Sequence, residues 1–318
     1  MKILFTDNHA LGDACENLIA IYDYHLSHPE NAVCYRGTAQ ELFFNLNWID
    51  WTIDDKTADR IVPISMDLIH NSNQNGLHVV RMIEHDISKK LDNCYIRPQA
   101  LKLPIQFSQE ELMDVSVFAN CGLDNTKPYW IVDGGGKRDF FTKHYPHSWY
   151  QQIINATRHA ITWVQIGLSE HVHKPLENVV NLLDKTRNLR ELLKVFYYSK
   201  GVLTPISAPL HLATMPMHNS SHVRPCVVIA GGRESPEFSK YPNHYWFSTI
   251  GQMPCCRDGG CWKSKTDKSQ EKDCKSLCEY PIKIDGQCVG ACMALFSPTD
   301  VAKKILQLDQ MAMTRKRI

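Results

Sequence analysis

The chain lacks a surplus of charge of either sign and lacks any long hydrophobic run. Its 318 residues include 35 lysines and arginines against 34 aspartates and glutamates, so the formal net charge is only +1. A protein without a basic surplus has no global positive field of the kind that drives non-specific nucleic-acid binding. No apolar run approaches the roughly 18 residues that a membrane-spanning helix needs. The composition therefore predicts neither a general nucleic-acid binder nor a transmembrane segment.

Several common catalytic motifs are also missing. The chain has no G-x-S-x-G and no H-E-x-x-H sequence, which removes the commonest hydrolase interpretations. The glycines Gly134 to Gly136 do not have the G-x-G-x-x-G spacing, and no P-loop lysine pattern is present. We interpret the triple glycine as a turn.

The first residues do not resemble a secretory signal peptide. Asp7 follows the apolar start of the chain too soon for a hydrophobic core of about 7–15 residues. We therefore expect a cytoplasmic protein, in a compartment that keeps cysteines reduced.

Cysteine, in contrast, is plentiful and unevenly placed. Seven of the twelve cysteines lie near the C-terminus, at positions 255, 256, 261, 274, 278, 288 and 292. Such crowding predicts one cross-linked site, and a reducing cytosol favours a tetrahedral metal ion over disulfides. The predicted ligands of a structural zinc or iron ion are Cys256, Cys261, Cys278 and Cys292, with the other three as replacements. Paired disulfides, or free cysteines packed as small apolar side chains, are the alternatives.

Hydrophobic periodicity predicts two α/β units in tandem. A buried strand at 2–6 precedes a helix that begins just after Asp13, and further strands are expected at 31–35 and 61–64, with helices at 39–45 and 78–89. A polar stretch at 122–128 marks a break, after which strands at 129–133, 161–167, 201–204 and 224–230 alternate with helices at 149–157 and 188–196. We predict an N-terminal domain over 1–124 and a C-terminal domain over 125–318. The second domain includes the cysteine-rich segment 255–292 and a C-terminal helix.

Three short motifs, in this order along the chain, resemble those of glycosyltransferase family 9, the ADP-heptose heptosyltransferases. They are Leu11-Gly12-Asp13 after the first strand, Lys143-His144-Tyr145-Pro146, and the segment from Pro205 to Leu212. The resemblance covers almost the whole chain, and the stretch from Cys255 to Trp262 resembles a cysteine-rich subgroup. It implies the GT-B fold, in which two Rossmann-like domains face each other across a cleft. The acceptor is then expected on the first domain and the nucleotide-sugar on the second.

The resemblance also implies an inverting transfer that needs no catalytic metal. Asp13 takes the position of the family's base, which removes the proton of the acceptor hydroxyl. The structural alternative for Asp13 is a helix N-cap, a role in which aspartate is common. Lys143 matches the lysine of the family's K-H-W-P motif, although Tyr145 replaces its tryptophan.

The implied nucleotide-sugar contacts lie at strand ends and at one helix start. They are Lys143, Gly167, Thr204, Ser207, Ala208 and His211. Pro209 in the first turn predicts a helix whose unpaired N–H groups favour an anion. A buried histidine bonded to backbone is the alternative role of His211. The family's Asp-Thr-Gly is Ile206-Ser207-Ala208 here, so the acidic partner is missing and the donor sugar is left open.

The sequence thus predicts an inverting glycosyltransferase that moves heptose or another sugar from a nucleoside diphosphate to an acceptor hydroxyl. The acceptor, whether a saccharide, a protein side chain or a modified base in phage DNA, is not readable, because function lies in the site rather than in the fold. Two alternatives of other classes remain: a non-catalytic sugar-nucleotide-binding protein and a nucleic-acid binder built on a zinc module.

Overall fold

The structure is a computed structural model that describes residues 1–65, 76–136, 141–171, 174–263 and 278–314. Within these residues the α-helices are α1 (Leu11–Ser27), α2 (Val79–Lys90), α3 (Gln109–Met113), α4 (Ser116–Ala119), α5 (His147–Thr157), α6 (Leu189–Tyr198), α7 (Ala208–Leu212), α8 (Pro236–Ser239) and α9 (Pro298–Thr314). The strands are β1 (Lys2–Thr6), β2 (Ala32–Arg36), β3 (Arg60–Pro63), β4 (Trp130–Asp133), β5 (Trp163–Ile166), β6 (Val180–Asn181), β7 (Gly201–Pro205), β8 (Pro216–Met217), β9 (Ser220–Val223), β10 (Cys226–Gly231), β11 (His244–Ser248), β12 (Pro281–Ile284) and β13 (Gln287–Gly290).

The first sheet is parallel and has β1 at its centre, between β2 and β3. Ile3, Leu4 and Phe5 are fully buried, as expected for a strand that is covered on both faces. Because the chain leaves β1 toward one neighbour and later returns to the other, the carboxyl end of β1 is the switch point where such sheets place ligands. All three strands lie within one or two residues of their predicted positions.

The second sheet has six parallel strands in the order β11-β10-β7-β4-β5-β6. The four strands predicted from apolar runs are the four in the middle, β10, β7, β4 and β5. The two edge strands are additional. The edge strand β6 has only two residues, and β11 alternates between buried and exposed side chains. Neither one therefore shows the continuous apolar run of a buried parallel strand.

The two sheets share buried apolar contacts through the helices between them. One hydrophobic cluster contains Leu18 of α1, Val80 of α2, Leu210 of α7 and Val228 of β10. A second cluster covers the opposite face of the larger sheet, where α5 and α9 pack over Trp130 and Trp163.

The connection between the two units is tied to α6. A capping box is present at the start of α3, where Ser108 accepts from the backbone of Glu111 and the Glu111 side chain accepts from the backbone of Ser108. The same Glu111 carboxylate accepts two hydrogen bonds from Arg190, at 2.7 Å and 2.9 Å. Because Arg190 is buried, this connection is held firmly against the second unit.

The structure corrects one of the predicted helices. The segment expected to be helical at 39–45 contains only a 3-10 turn, Gln40–Phe43. Phe44 is extended and Asn45 has a positive φ of 63°. An αL residue cannot continue a right-handed helix, so the turn ends there.

The cysteine-rich segment lies between β11 and α9 and contains a β-hairpin. Strands β12 and β13 pair antiparallel, joined by Asp285 and Gly286 with φ of 49° and 79°. An Asp-Gly pair with both φ angles positive is the preferred composition of a type I′ turn. This signal was present in the sequence, but it was not used in the prediction.

Candidate active site

Asp13 lies in the first turn of α1, directly after the carboxyl end of β1. The helix begins at Leu11 rather than after Asp13, and its N-cap is Ala10, which offers no side-chain hydrogen bond. The predicted helix start and the N-cap alternative for Asp13 are therefore wrong. Asp13 is half-buried and sits one turn before Glu16, on the same face of the helix.

The loop before Asp13 is anchored by Asp7, a residue that sequence analysis missed. One carboxylate oxygen of Asp7 accepts from the Tyr35 hydroxyl at 2.6 Å and from the Asn17 amide at 2.5 Å. The other accepts from the backbone N–H of His9 at 3.3 Å. These bonds connect β1, β2 and α1, and they fix the loop that positions the Asp13 turn.

The first turn of α1 packs against α7, so residues from the two sheets meet there. A Cβ on Gly12 would lie 3.4 Å from His211 Cδ2 and 3.7 Å from the Ala208 Cα. The structure thus packs the helix turn that carries Asp13 against the predicted donor-site residues Ala208 and His211, although nearly 200 residues of sequence separate them.

His211 and Glu16 form a buried polar pair behind this contact. His211 Nδ1 lies 2.8 Å from the Tyr241 hydroxyl and 3.6 Å from Glu16 Oε1. Burial raises the pKa of Glu16 well above its usual value; the charge of Asp13 raises it further, and Lys143 opposes the shift. Burial lowers the pKa of His211, helped by His78, His244 and Lys143. His211 therefore bonds a side chain rather than the backbone partner of our alternative interpretation.

Lys143 reaches the same region from a 3-10 turn, Phe141–Lys143. Its Nζ lies 3.1 Å from Glu234 Oε1, and Arg233 contacts the same carboxylate oxygen. Because the charge of Lys143 acts on both Glu16 and His211, the lysine lies near the meeting point of α1 and α7.

Ser207 and Thr204 both point to Asp133, at the carboxyl end of β4. Ser207 Oγ donates to Asp133 Oδ2 at 2.7 Å, and Thr204 Oγ1 donates to the same oxygen at 3.3 Å. Ser207 is the N-cap residue of α7, yet its side chain makes no capping bond. The sequence suggested that an acidic partner was missing here, but Asp133 places a buried carboxyl group beside Ser207 from another strand.

Gly167 follows β5, at the same edge of the sheet but two strands from β7. Its φ is 133°, and its carbonyl oxygen accepts from the backbone N–H of Asp184 at 3.1 Å. The structure packs the turn that carries Asp13 against Ala208 and His211, the charge of Lys143 acts on His211, and Ser207 and Thr204 donate to Asp133.

Four cysteines line one small cavity of about 10 Å³ in the cysteine-rich segment: Cys255, Cys261, Cys278 and Cys292. Cys256 does not line it, because its thiol is buried and donates to the carbonyl oxygens of Thr249 and Met253. All eleven cysteines in the described ranges are free thiols, and Cys274 lies outside those ranges. Within the same ranges, no three His, Cys, Asp or Glu side chains form a group that could hold a metal ion.

Burial dominates the chemistry of these thiols. It raises the pKa of Cys255 to about 12 and that of Cys278 to about 11, and each neighbouring cysteine adds to the shift. The pKa values of Cys261 and Cys292 are raised by burial as well.

The cysteine-rich segment also touches the residues that hold Lys143. The carbonyl oxygen of Lys263 accepts from Thr142 Oγ1 at 2.6 Å and from Arg233 Nε at 2.8 Å. Gly232 and Thr142 both line the cysteine cavity. The cavity and the lysine site therefore share two backbone segments.

No protein-family model and no curated protein matches the chain, whereas solved structures match nearly all of it. The ADP-heptose lipopolysaccharide heptosyltransferase II of E. coli matches with a TM-score of 0.58 and 13% identity, over 98% of this chain and 99% of that one. A family 9 glycosyltransferase from Veillonella parvula matches with a TM-score of 0.60 and 12% identity, over 98% of this chain and 97% of that one. The chain has the fold of these glycosyltransferases. The predicted resemblance to family 9 is thus confirmed for the fold, and the six-stranded parallel sheet is consistent with GT-B.

A third solved structure is TibC of enterotoxigenic E. coli, described as an iron-containing dodecameric glycosyltransferase. It matches with a TM-score of 0.59 and 14% identity, over 97% of this chain and 78% of that one. TibC has also been solved with ADP-D-β-D-heptose. None of the described helices of the present chain is long and apolar enough to cross a membrane.

Proposed function

We propose that this chain is an inverting glycosyltransferase that uses a nucleoside-diphosphate sugar. The observation that carries the proposal is the contact between α1 and α7, which packs the turn with Asp13 against His211 in a chain with the heptosyltransferase fold. The charges of both Asp13 and Lys143 act on the buried Glu16 in the same region. A carboxylate next to cationic and N–H groups is what the reaction needs, since a proton must leave the acceptor while a diphosphate leaves the donor.

Asp13 is the proposed base. It takes the proton of the acceptor hydroxyl as that oxygen attacks the anomeric carbon of the donor sugar. The bond from that carbon to the diphosphate breaks on the opposite face, so the configuration inverts and the nucleoside diphosphate leaves with the bonding electrons. Glu16 is less suited to this role than Asp13 because burial raises its pKa well above the usual value and so favours the neutral form.

In this proposal, the part of the chain with the first sheet and the part with the second sheet each bind one of the two substrates. Residues 1–124 bind the acceptor and residues 125–318 bind the nucleotide-sugar, with the reaction at the cleft between them. Asp13 comes from the first part, and the proposed diphosphate contacts come from the second: Lys143, Gly167, Thr204, Ser207, Ala208 and His211. A lysine supplies a compact positive charge that suits a phosphate oxygen.

The donor is proposed to carry heptose or another sugar on a nucleoside diphosphate. Support comes from TibC, which has been solved with ADP-D-β-D-heptose. The Ser207–Asp133 bond replaces the family's Asp-Thr-Gly arrangement, so the sugar itself is to be found by screening.

A structural zinc or iron ion in the cysteine-rich segment is a further part of the proposal. The cysteine donor set fits such an ion, because four sulfur ligands are typical of structural zinc and of iron sites. Cys261, Cys278 and Cys292 remain as predicted, and Cys255 is a better fourth ligand than Cys256, whose thiol already has two backbone partners. The sulfurs would have to converge and lose their protons on binding. An ion there would stabilise the segment and takes no part in the transfer.

Free thiols throughout the described part of the chain also fit the proposed cytoplasmic location, where cysteines stay reduced.

The test is a thermal-shift screen of nucleoside-diphosphate sugars, followed by a transfer assay with each one that binds. A ligand at 100 times its dissociation constant adds about 2.7 kcal/mol to the unfolding free energy, which shifts the melting temperature measurably. Binding together with transfer to water or to an acceptor supports the proposal. Binding with no turnover on any acceptor supports a non-catalytic sugar-nucleotide-binding protein, and no binding of any member contradicts both.

A further inference from the structure

The two nitrogens of the His211 ring have different surroundings. Nδ1 faces the Tyr241 hydroxyl at 2.8 Å, with Glu16 Oε1 on the same side at 3.6 Å. The opposite edge faces the first turn of α1, where a Cβ on Gly12 would lie 3.5 Å from Nε2. A neutral imidazole carries one proton, and the bond at one nitrogen decides which nitrogen has it. The partner of Nδ1 therefore determines what His211 offers to the site beside Asp13.

Tyr241 is held rigidly for this contact. Its side chain is fully buried, and its ring packs against three histidine rings, with centroid distances of 4.9 Å to His78, 5.6 Å to His211 and 5.1 Å to His244. Burial, with smaller effects of Glu16 and Cys15, raises the pKa of the Tyr241 hydroxyl well above its usual value. The hydroxyl thus keeps its proton and can donate it in a hydrogen bond at any physiological pH.

The charge state of Glu16 affects which nitrogen of His211 carries the ring proton. An ionised carboxylate 3.6 Å from Nδ1 would favour a proton on that nitrogen, whereas a neutral carboxyl group would do so much less. Burial and the charge of Asp13 both raise the pKa of Glu16, so the neutral form is favoured. Glu16 then leaves Nδ1 free to accept from Tyr241.

We propose that Tyr241 is a positioning residue, which donates a hydrogen bond to His211 Nδ1 and holds the imidazole as its Nε2–H tautomer. The Nε2–H group then points to the site beside Gly12 and Asp13, where it can donate to an oxygen of the leaving diphosphate. The identity of this ligand rests on the proposed function, but the tautomer does not. His211 acts as a neutral donor, so its contribution to diphosphate binding does not change as pH varies around neutrality.

The experiment is nitrogen NMR of the full-length protein with ¹⁵N in its histidine rings, combined with titration of ADP. The His211 signals are identified by their loss in His211→Gln. We expect the wild-type ring to be the Nε2–H tautomer. In Tyr241→Phe, which keeps the ring and removes the hydroxyl, we expect a tautomer mixture. ADP affinity should fall by the fraction of the Nε2–H form that is lost, about twofold for an equal mixture.

Two further variants sharpen the comparison. Tyr245→Phe also removes a tyrosine hydroxyl, but from a side chain of β11 that is 38% exposed. It should leave the His211 signals and ADP affinity as in wild type. Glu16→Gln keeps a neutral group of the same size and should retain the Nε2–H tautomer. A wild-type ring in the Nδ1–H form that changes to Nε2–H in Glu16→Gln would show that Glu16 is ionised and does not act as a neutral neighbour.

The outcomes separate this inference from the proposed function. A wild-type spectrum dominated by the Nδ1–H tautomer overturns the inference, even if Tyr241→Phe does not fold. Unchanged tautomer and unchanged affinity in a folded Tyr241→Phe also overturn it. If wild-type protein binds no nucleoside diphosphate at all, the proposed function fails, while the spectrum still decides the role of Tyr241.

Discussion

Ser207 donates a 2.7 Å hydrogen bond to Asp133, so the N-cap residue of α7 is tied to the neighbouring strand β4 instead of to its own helix. The bond joins the carboxyl end of β4 to the predicted donor-site residues after β7, and α7 begins without a side-chain cap. In that turn Pro209 has no N–H, and the Leu210 N–H donates to the Ser207 carbonyl oxygen at 3.0 Å.

Ser207→Ala should destabilise the protein, because it leaves the buried Asp133 carboxyl group with one donor fewer. We expect a loss of about 1–3 kcal/mol in the free energy of unfolding, measured by urea denaturation. Ser116→Ala is the matched control, since the Ser116 hydroxyl interacts with Arg187 and Asp114, whose side chains are 61% and 45% exposed. It should change stability by less than about 0.5 kcal/mol. Equal effects of the two changes would mean that the Asp133 contact contributes little.

Asp13→Asn should abolish most turnover and leave donor binding nearly intact. An amide cannot take the proton of the acceptor hydroxyl, so kcat is expected to fall by roughly 10²–10⁴-fold in a transfer assay. Nucleoside-diphosphate affinity, measured by calorimetry, should stay close to wild type. Asp92→Asn, at a largely exposed position that pairs with Arg60, serves as control. Normal turnover in Asp13→Asn would remove Asp13 from the mechanism.

Lys143→Met should weaken the binding of a nucleoside diphosphate by about 1.5–3 kcal/mol, the loss of a charge-assisted hydrogen bond. Methionine keeps much of the length of the side chain, and Arg233 remains beside Glu234 to limit structural damage. Lys127→Met changes a lysine that is 77% exposed and should have no effect on affinity. If both variants bind ADP as wild type does, Lys143 is not a phosphate contact.

The cysteine site should contain about one zinc or iron ion per chain when the purified protein is analysed for metals. Cys255→Ser should lose most of this metal and loosen the segment before it affects nucleotide binding. Cys256→Ser should retain the ion, which separates the two candidate ligand sets, and Cys121→Ser is a control in another part of the chain. Metal-free protein with paired disulfides would overturn both the metal site and the cytoplasmic location.

Stability should fall in mild acid because of His244. Burial lowers the pKa of His244 to about 3, and the charges of His78 and Lys240 add to the shift. Between that pH and the ordinary value near 6.5, the unfolded chain binds a proton that the folded protein does not, so the free energy of unfolding decreases as pH falls. One such histidine contributes at most about 2 kcal/mol between pH 6.5 and 5.

His244→Phe should therefore reduce the acid sensitivity of the protein. Neither ring nitrogen of His244 has a hydrogen-bond partner within the described residues, so substitution by phenylalanine removes no hydrogen bond there. Urea unfolding at pH 7, 6 and 5 should give a smaller change for His244→Phe than for wild type, and His159→Gln, at an exposed position, should match wild type. Parallel curves for all three proteins would contradict this assignment.

Sequence patterns predicted the strands well because burial of parallel strands leaves continuous apolar runs. The runs at β1, β4, β7 and β10 are such cases, and all four strands lie within two residues of the predicted ranges. The motif residues Asp13, Lys143 and His211 could be selected because each belongs to a short local pattern.

The contacts between distant residues were not predictable in the same way. Asp133 and Ser207 are 74 residues apart, and His211 and Tyr241 are 30 apart, so nothing local indicates that either pair should meet. The choice of Cys255 over its neighbour Cys256 depends on which way two adjacent thiols point, and that is set by the 3-10 turn Pro254–Cys256. The Asp285-Gly286 turn, by contrast, was readable from the sequence.

The Lys263 carbonyl oxygen is the common acceptor for Thr142 and Arg233, and this makes the cysteine-rich segment difficult to separate from the rest of the protein. Thr142 directly precedes Lys143, and Arg233 directly precedes Glu234, the carboxylate that pairs with Lys143. A shortened chain that lacks this segment would lose the hydrogen bonds that hold Thr142 and Arg233, the residues next to Lys143 and to its partner Glu234. The segment is thus better regarded as an integral part of the structure around Lys143 than as a separable domain.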